Sequence, residues 1–168
     1  MTAIVSFYLH AQPDYLGRWL RDIWQWDNGR LEEIHDFIQV LFPNRELSQV
    51  NARAPLLDQA TIAAFLQNES LRENLATSLD VMLRFYGLEY DAKTSSVVKS
   101  GDFPERSRNW IHPCNHNYLR ITRILKCLTE LGLSERARAF LDCLEAINAD
   151  QPRQIGLETL GYWRRAVA

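Results

Sequence analysis

The sequence predicts an all-α fold, a single compact domain over residues 1–168 with about seven helices around one central amphipathic helix, Asn115 to Leu131. Two observations carry this prediction. In the central segment, apolar residues recur every three or four positions and so lie on one face of a helix; they are Tyr118, Ile121, Ile124, Leu125, Leu128 and Leu131. Similar stripes recur before and after it, and a chain of 168 residues can bury a core without a metal or a disulfide.

The N-terminal part of the chain contains two predicted helices and one ambiguous segment. Ala3 to Leu9 is short and apolar, and its pattern fits either a strand or an extended arm. Asp14 is placed to cap a first helix that runs to about Trp26, because its carboxylate can accept a hydrogen bond from a free amide of the first turn. The second helix, Arg30 to Phe42, is strongly patterned and is stopped by Pro43.

The rest of the chain alternates helices with connections. Asn44 to Leu57 has no clear period. Leu88 to Pro104 is predicted to be the longest irregular segment, and a loop of that length in a compact domain is functional or mobile. Ser70 and Glu73 form a capping box that opens the fourth helix. The other predicted features are Gln59 to Gln67 after an Asp58 cap, a stripe from Leu71 to Tyr86 that ends at Gly87, a helix opened by Ser134, and a last helix from Leu157 to Val167.

Composition excludes several classes of protein. The net charge of −2 gives no general signal for a nucleic acid or a membrane surface. The three cysteines, Cys114, Cys127 and Cys143, lie mostly on predicted helices and are typical of reduced thiols in a cytosolic protein. No apolar run approaches the roughly 20 residues that span a bilayer. We therefore expect a cytoplasmic protein with no cofactor and no transmembrane segment, and the oligomeric state is left open.

His112, Cys114 and His116 lie close together in the chain, a grouping that suggests a metal site or a Cys–His nucleophile. Pro113 keeps this segment out of a helix, so the two histidines do not project from one face as they do in a helical zinc motif. Further ligands would have to come from elsewhere, and no residue stands out for that role. We therefore predict no metal and no catalytic residue here, and expect a loop whose polar side chains bond nearby backbone groups.

The start of the central helix is a better candidate for a binding site. Asn115, His116 and Asn117 open the helix, and Arg120 lies one turn further, at the border of the apolar stripe. Free amides, the positive end of the helix dipole and a guanidinium together would hold a phosphate or a carboxylate. The alternative is structural: Asn115 only caps the helix, and Arg120 pairs with an acid of its own chain, as partly buried arginines usually do.

Three further features have a functional and a structural interpretation. His35 falls inside the apolar arc of the second helix, where it is either a pocket residue or, as we favour, a core histidine. The tryptophans between Trp19 and Trp26 fit a peptide groove or, more often, a core. The basic segment Lys99 to Lys126 could contact nucleic acid, but with a balanced total charge we expect it to face the acidic segment Asp22 to Glu46 or water.

Three strings carry a family resemblance. HNYLRITRILKCLTELGL from His116, IHDFIQVLFPNRE from Ile34 and RFYGL from Arg84 resemble the conserved region of the opioid growth factor receptor family, over about Trp24 to Leu133. The resemblance implies an all-helical domain whose animal members are reported to bind enkephalin-type peptides and to associate with the nucleus. It also implies that any function of the long C-terminal extensions of those members is absent here. The family supplies no established set of ligand-contacting residues, so none is transferred.

We interpret the chain as a binding or interaction domain, with a peptide or a small anionic ligand as its partner. The expected groove lies between the first two helices and the start of the central helix. The candidate contacts are Trp24, His35, Gln39, His116, Asn117 and Arg120. In this interpretation Arg120 holds a carboxylate or phosphate, and aromatic residues supply apolar area. The alternative is an enzyme acting on a phosphorylated or peptide substrate, with His116 as acid–base and Arg120 as the anion clamp.

Overall fold

The computed structural model describes residues 1–48 and 51–168, and over these residues ten helices and one β-hairpin enclose an apolar core. The helices are α1 Ala3–Tyr8, α2 Leu20–Trp24, α3 Asn28–Glu33, α4 Phe37–Leu41, α5 Gln59–Gln67, α6 Glu69–Tyr86, α7 Phe103–Trp110, α8 Asn117–Glu130, α9 Ser134–Asp150 and α10 Leu157–Val167. The strands are β1 Leu88–Asp91 and β2 Ser96–Lys99. The all-α prediction is confirmed. None of the helices in the described ranges has the length and apolar character needed to cross a bilayer.

The predicted central helix is α8, and its apolar stripe is buried. Ile121, Ile124, Leu125 and Leu128 are fully excluded from solvent, and α8 packs against α9 and α10. Asn115 makes the expected hydrogen bond, but the helix begins two residues later than predicted, and the cap position is taken by His116, whose side chain makes no capping bond. The side chain of Asn115 accepts a hydrogen bond of 2.8 Å from the backbone amide of Asn117, the first residue of α8.

The prediction for the first twenty-six residues is wrong in two places. Ala3 to Leu9 is neither a strand nor an arm, because Thr2 caps the short helix α1 there. The predicted helix from Asp14 to Trp26 is reduced to α2, Leu20–Trp24. Asp14 folds a turn instead, since its carboxylate accepts hydrogen bonds of 2.9 Å from the amides of Leu16 and Arg18.

The prediction of one continuous second helix from Arg30 to Phe42 is also wrong. Asp27 caps α3 with a 2.8 Å bond from the amide of Arg30, and α3 ends at Glu33. Ile34 then adopts an extended conformation with ψ of 125°, and the chain resumes a helix only at Phe37. In a continuous helix, the next turn would donate hydrogen bonds to the carbonyl groups at this break. Here Arg120 of α8 donates hydrogen bonds to several of them instead.

The segment Leu88 to Pro104, predicted to be irregular, is mostly a hairpin. β1 and β2 are antiparallel, with Leu88 opposite Lys99 and Asp91 opposite Ser96. Helix α7 follows and was not predicted. Gly87 makes the turn from α6 into β1 possible. Its φ is +75°, and a Cβ atom there would lie 2.7 Å from the Cα of Phe103. Leu88–Asp91 alternates apolar and polar residues only at the minimum length for a strand signal, and Ser96–Lys99 does not alternate, so the sequence gives the hairpin little signal.

The remaining helices agree with the sequence. α5 has the predicted bounds, with Asp58 accepting a bond of 2.7 Å from the amide of Thr61. α10 also has the predicted bounds, and α9 begins at Ser134 as expected. The fourth helix, α6, begins earlier than the capping box indicated, since Asn68 provides the cap.

Candidate binding groove

A surface groove of about 520 Å³ separates α4 and residues 44–48 from α8. We call it the α4–α8 groove. One wall is a second face of α8, because residues spaced by three and four positions fall on the same side of a helix. That wall carries His116, Leu119, Arg120, Arg123 and Lys126. The opposite wall carries His35, Ile38, Gln39, Asn44, Glu46, Leu47 and Ser48.

The groove brings together four of the six candidate residues, namely His35, Gln39, His116 and Arg120. Asn117 lies fully buried beside it, with its amide 3.5 Å from both Glu32 and His116. Trp24 lies elsewhere. Its indole nitrogen donates to the hydroxyl of Ser78 at 2.9 Å, and its ring packs edge-on against His10.

Arg120 is bonded to its own chain. The side chain is 5% exposed, and Nη1 donates to the carbonyl of Leu31 at 2.9 Å while Nη2 donates to the carbonyl of Ile34 at 3.2 Å. The nearest carboxylate, that of Glu32, is 4.0 Å away. Burial lowers the pKa of Arg120 from its ordinary value. The guanidinium therefore joins α8 to the break between α3 and α4, and its main partners are carbonyl groups rather than the internal acid that the structural alternative assumed.

His35 and His116 face each other across one end of the groove, with ring centroids 5.4 Å apart. His35 is exposed at the break between α3 and α4, so its predicted place in an apolar arc is wrong. Nε2 of His116 lies 3.1 Å from a carboxylate oxygen of Glu32. Burial lowers the pKa of His116 below its ordinary value of 6.5, and the attraction of Glu32 only partly opposes this. His116 is therefore mainly uncharged at neutral pH.

The sequence interpretation missed the charges at the other end of the groove. Nζ of Lys126 lies 3.2 Å from the carboxylate of Glu46, and this ion pair crosses the groove. Arg123 donates to the carbonyl of Phe42 at 3.2 Å. The spacing Arg120, Arg123, Lys126 could have revealed the shared face, because each step is three residues. At Lys126 the basic segment does face the acidic one, as expected.

Two exposed leucines flank these charges, one on each wall. Leu47 is 72% exposed and Leu119 is 78% exposed. Single exposed apolar residues are ordinary on a protein surface. Here the two line the same groove as Arg123 and Lys126, so a ligand in the groove meets both charge and apolar area.

The cluster His112, Cys114 and His116 does not converge. Nε2 of His112 lies 2.7 Å from the side-chain amide of Asn115, while His116 is directed to Glu32. Cys114 is exposed, with a φ of +60°. Among residues 1–48 and 51–168, no group of three His, Cys, Asp or Glu side chains is arranged to hold a metal ion.

Comparison with known proteins identifies the class of domain. The family model described as the opioid growth factor receptor (OGFr) conserved region matches residues 4–167. The chain therefore belongs to this family, and the match extends well beyond the segment in which the sequence strings suggested it.

Several relatives share the domain. The opioid growth factor receptor of Mus musculus is 40% identical over 136 residues, which are 77% of this chain and 21% of the relative. The receptor of Homo sapiens is 38% identical over 139 residues, 79% of this chain and 20% of the relative. The opioid growth factor receptor-like protein 1 of Mus musculus is 38% identical over 109 residues, 65% of this chain and 23% of the relative. The chain thus spans about a fifth of the length of these relatives. No solved structure matches it.

Proposed function

We propose that this domain binds peptides in the α4–α8 groove and that a carboxylate of the peptide pairs with Lys126 and Arg123. The observation that carries the proposal is the ion pair between Lys126 and Glu46. In it a carboxylate of the chain itself occupies the position that a ligand carboxylate would take.

This ion pair can be exchanged at little cost. Glu46 is 77% exposed and Lys126 is 37% exposed at the side chain, and exposed ion pairs contribute only about 0–1 kcal/mol. Arg123 supports the exchange. Its Nη1 is bonded to Phe42, whereas its Nε and Nη2 bond no residue among 1–48 and 51–168. A ligand carboxylate can therefore gain a second cationic donor to which Glu46 makes no hydrogen bond.

The leucines favour a peptide over an inorganic anion. A bare phosphate would contact the cations only, whereas a peptide can also cover Leu47 and Leu119 with an apolar side chain. The relatives named as opioid growth factor receptors agree with a peptide ligand. We therefore propose an enkephalin-type peptide as the first ligand to test.

The remaining candidates take different roles in this proposal. His35, Gln39 and His116 contact the peptide from the groove walls. Arg120 is a positioning residue, because its hydrogen bonds fix the wall that carries His35. Catalysis with Arg120 as anion clamp is less well supported, since Nη1 and Nη2 already donate to carbonyl groups.

Calorimetric titration with an enkephalin pentapeptide tests the proposal. We expect the peptide with a free C-terminal carboxylate to bind, and its C-terminal amide to bind about tenfold more weakly because a charge-assisted contact is lost. Lys126→Met should weaken binding of the acid to a similar degree. Glu46→Gln should strengthen it, because the competing carboxylate is gone.

Asp150→Asn is the matched control. Asp150 also forms an exposed ion pair, with Lys99 at 2.9 Å and away from the groove, so its replacement should leave binding unchanged. The proposal fails if the free-acid peptide does not bind at millimolar concentration. It also fails if acid and amide bind equally and neither Lys126→Met nor Glu46→Gln has an effect.

We also propose that the protein works in a reducing compartment such as the cytoplasm. All three cysteines are unpaired. Burial raises the pKa of the Cys143 thiol to about 11 and raises that of Cys127 further, so both stay protonated and unreactive at neutral pH.

A further inference from the structure

A second cavity, of about 260 Å³, opens beside α1 on a different part of the surface. We call it the α1 pocket. Its walls are mainly apolar and include Ile4, Phe7, Pro13, Val40 and Pro55. An apolar cavity of about 150 Å³ is enough to hold benzene, so this one can take an aromatic ring with a short chain attached.

The walls of the α1 pocket are held by hydrogen bonds, so the cavity is formed before any ligand arrives. The hydroxyl of Tyr15 accepts a bond of 2.7 Å from the amide of Asn51, which also donates to Gln39 at 2.7 Å. On the other side, Asp14 holds its turn through the amides of Leu16 and Arg18. A ligand therefore does not have to pay for ordering these groups.

One charge at the α1 pocket has no counterpart. Asp14 and Arg53 both line the cavity, but the Asp14 carboxylate is 1% exposed and paired with Arg18 at 2.7 Å. Arg53 is exposed, and its guanidinium makes no ion pair and no hydrogen bond within residues 1–48 and 51–168. The net charge offered to a ligand is therefore positive.

We propose that the α1 pocket binds a small hydrophobic carboxylic acid of the arylalkanoate type. The ring occupies the apolar cavity and the carboxylate pairs with Arg53, whose planar guanidinium matches a carboxylate in two-point geometry. This site shares no lining residue with the α4–α8 groove, which uses Lys126 and Arg123.

Protein-observed NMR titration with 3-phenylpropionate tests the proposal, with 3-phenylpropanol as the neutral analogue of nearly the same shape. We expect a dissociation constant on the order of 1 mM or below for the acid. The alcohol should bind about tenfold more weakly. Shifts should map to α1 and Tyr15, and not to Lys126.

Two variants separate the charge from the cavity. Arg53→Gln should bring the affinity for the acid down to that for the alcohol. Ala3→Phe, at an exposed residue that lines the pocket, should fill the cavity and abolish binding of both probes. Arg108→Gln, an exposed arginine elsewhere, should change nothing.

The proposal is overturned if the acid and the alcohol bind equally, if Arg53→Gln leaves the affinity for the acid unchanged, or if the shifts map to the α4–α8 groove. Absence of any shift at about ten times the expected dissociation constant overturns it as well. The results that concern the acid, the alcohol and Arg53→Gln leave peptide binding in the groove untouched, and Lys126→Met tests that binding separately. Shifts in the groove would instead mean that the acid binds at the peptide site.

Discussion

Replacing Arg120 by methionine should destabilise the domain without any ligand being present. Methionine keeps much of the length and apolar surface of arginine but has no donor. The carbonyl of Leu31 then loses a buried bond of 2.9 Å, and the carbonyl of Ile34 loses a part-buried bond of 3.2 Å. Water cannot readily replace the guanidinium at Leu31, and at Ile34 it can do so only in part.

The size of the effect follows from these two bonds. A buried carbonyl left without a donor costs about 1–3 kcal/mol. Removing a buried charge returns part of this, because the arginine no longer has to be desolvated. We therefore expect a net loss of about 2–4 kcal/mol. For a domain of this size each kcal/mol lowers the melting temperature by about 2–4 °C, so Arg120→Met should melt about 5–15 °C below the wild type.

Urea and thermal denaturation, followed by far-ultraviolet circular dichroism, measure this loss. Arg120→Lys should fall between the wild type and Arg120→Met, because one ammonium can reach only some of the carbonyls. Arg123→Met is the control on the same face of α8. It removes a single bond of 3.2 Å to Phe42 and should cost about 1 kcal/mol.

The reasoning is refuted if Arg120→Met and Arg120→Lys both stay within about 0.5 kcal/mol of the wild type. Such variants, combined with weakened peptide binding, would make Arg120 a ligand contact instead of a positioning residue.

Three further predictions concern the scaffold. Leu128→Ala, in the fully buried stripe of α8, should lower the free energy of unfolding in urea by about 2–5 kcal/mol. Gly87→Ala should cost about 3 kcal/mol or more, because its φ is +75° and the added carbon would lie 2.7 Å from the Cα of Phe103; Gly132→Ala, which meets only side-chain ends, should cost less. Burial raises the pKa of Tyr118 to about 12, so the folded state keeps a proton that the unfolded state loses above pH 10. The stabilisation should be complete below pH 10 and fall between pH 10 and 12, and Tyr118→Phe should reduce that fall.

The sequence predicted a helix correctly where the cap, the terminating residue or the apolar stripe lies within that helix or next to it. Asp58, Gly87 and the α8 stripe act within a few residues of the helices they define, so the sequence shows them directly. The break after Glu33 has no such local signal. Its carbonyls are satisfied by Arg120, which lies 86 residues beyond Ile34 in the chain. A periodic stripe from Leu31 to Phe42 therefore indicated a continuous helix that tertiary hydrogen bonding interrupts.

The candidate site likewise has one part that the sequence shows and one part that only the fold shows. The residues at the start of α8 could be found because the end of a helix is visible in the sequence. The pairing of Lys126 with Glu46 joins positions 80 residues apart, and only the fold shows that they face each other. The sequence placed Trp24 in the groove because an aromatic side chain suits a groove. The same side chain also suits its actual position, where the indole nitrogen donates to Ser78.

The packing of α10 on α8 has a consequence for the order in which the domain can fold during synthesis. The indole of Trp163 is fully buried, donates to the backbone carbonyl of Tyr118 at 3.2 Å and packs edge-on against the Tyr118 ring. α8 leaves the ribosome before α10, so the side of α8 that α10 covers stays open to other nascent chains until residue 163 has emerged. A chain that ends between α9 and α10 would thus leave this side of the central helix open, and such a fragment should expose apolar surface that the finished domain buries.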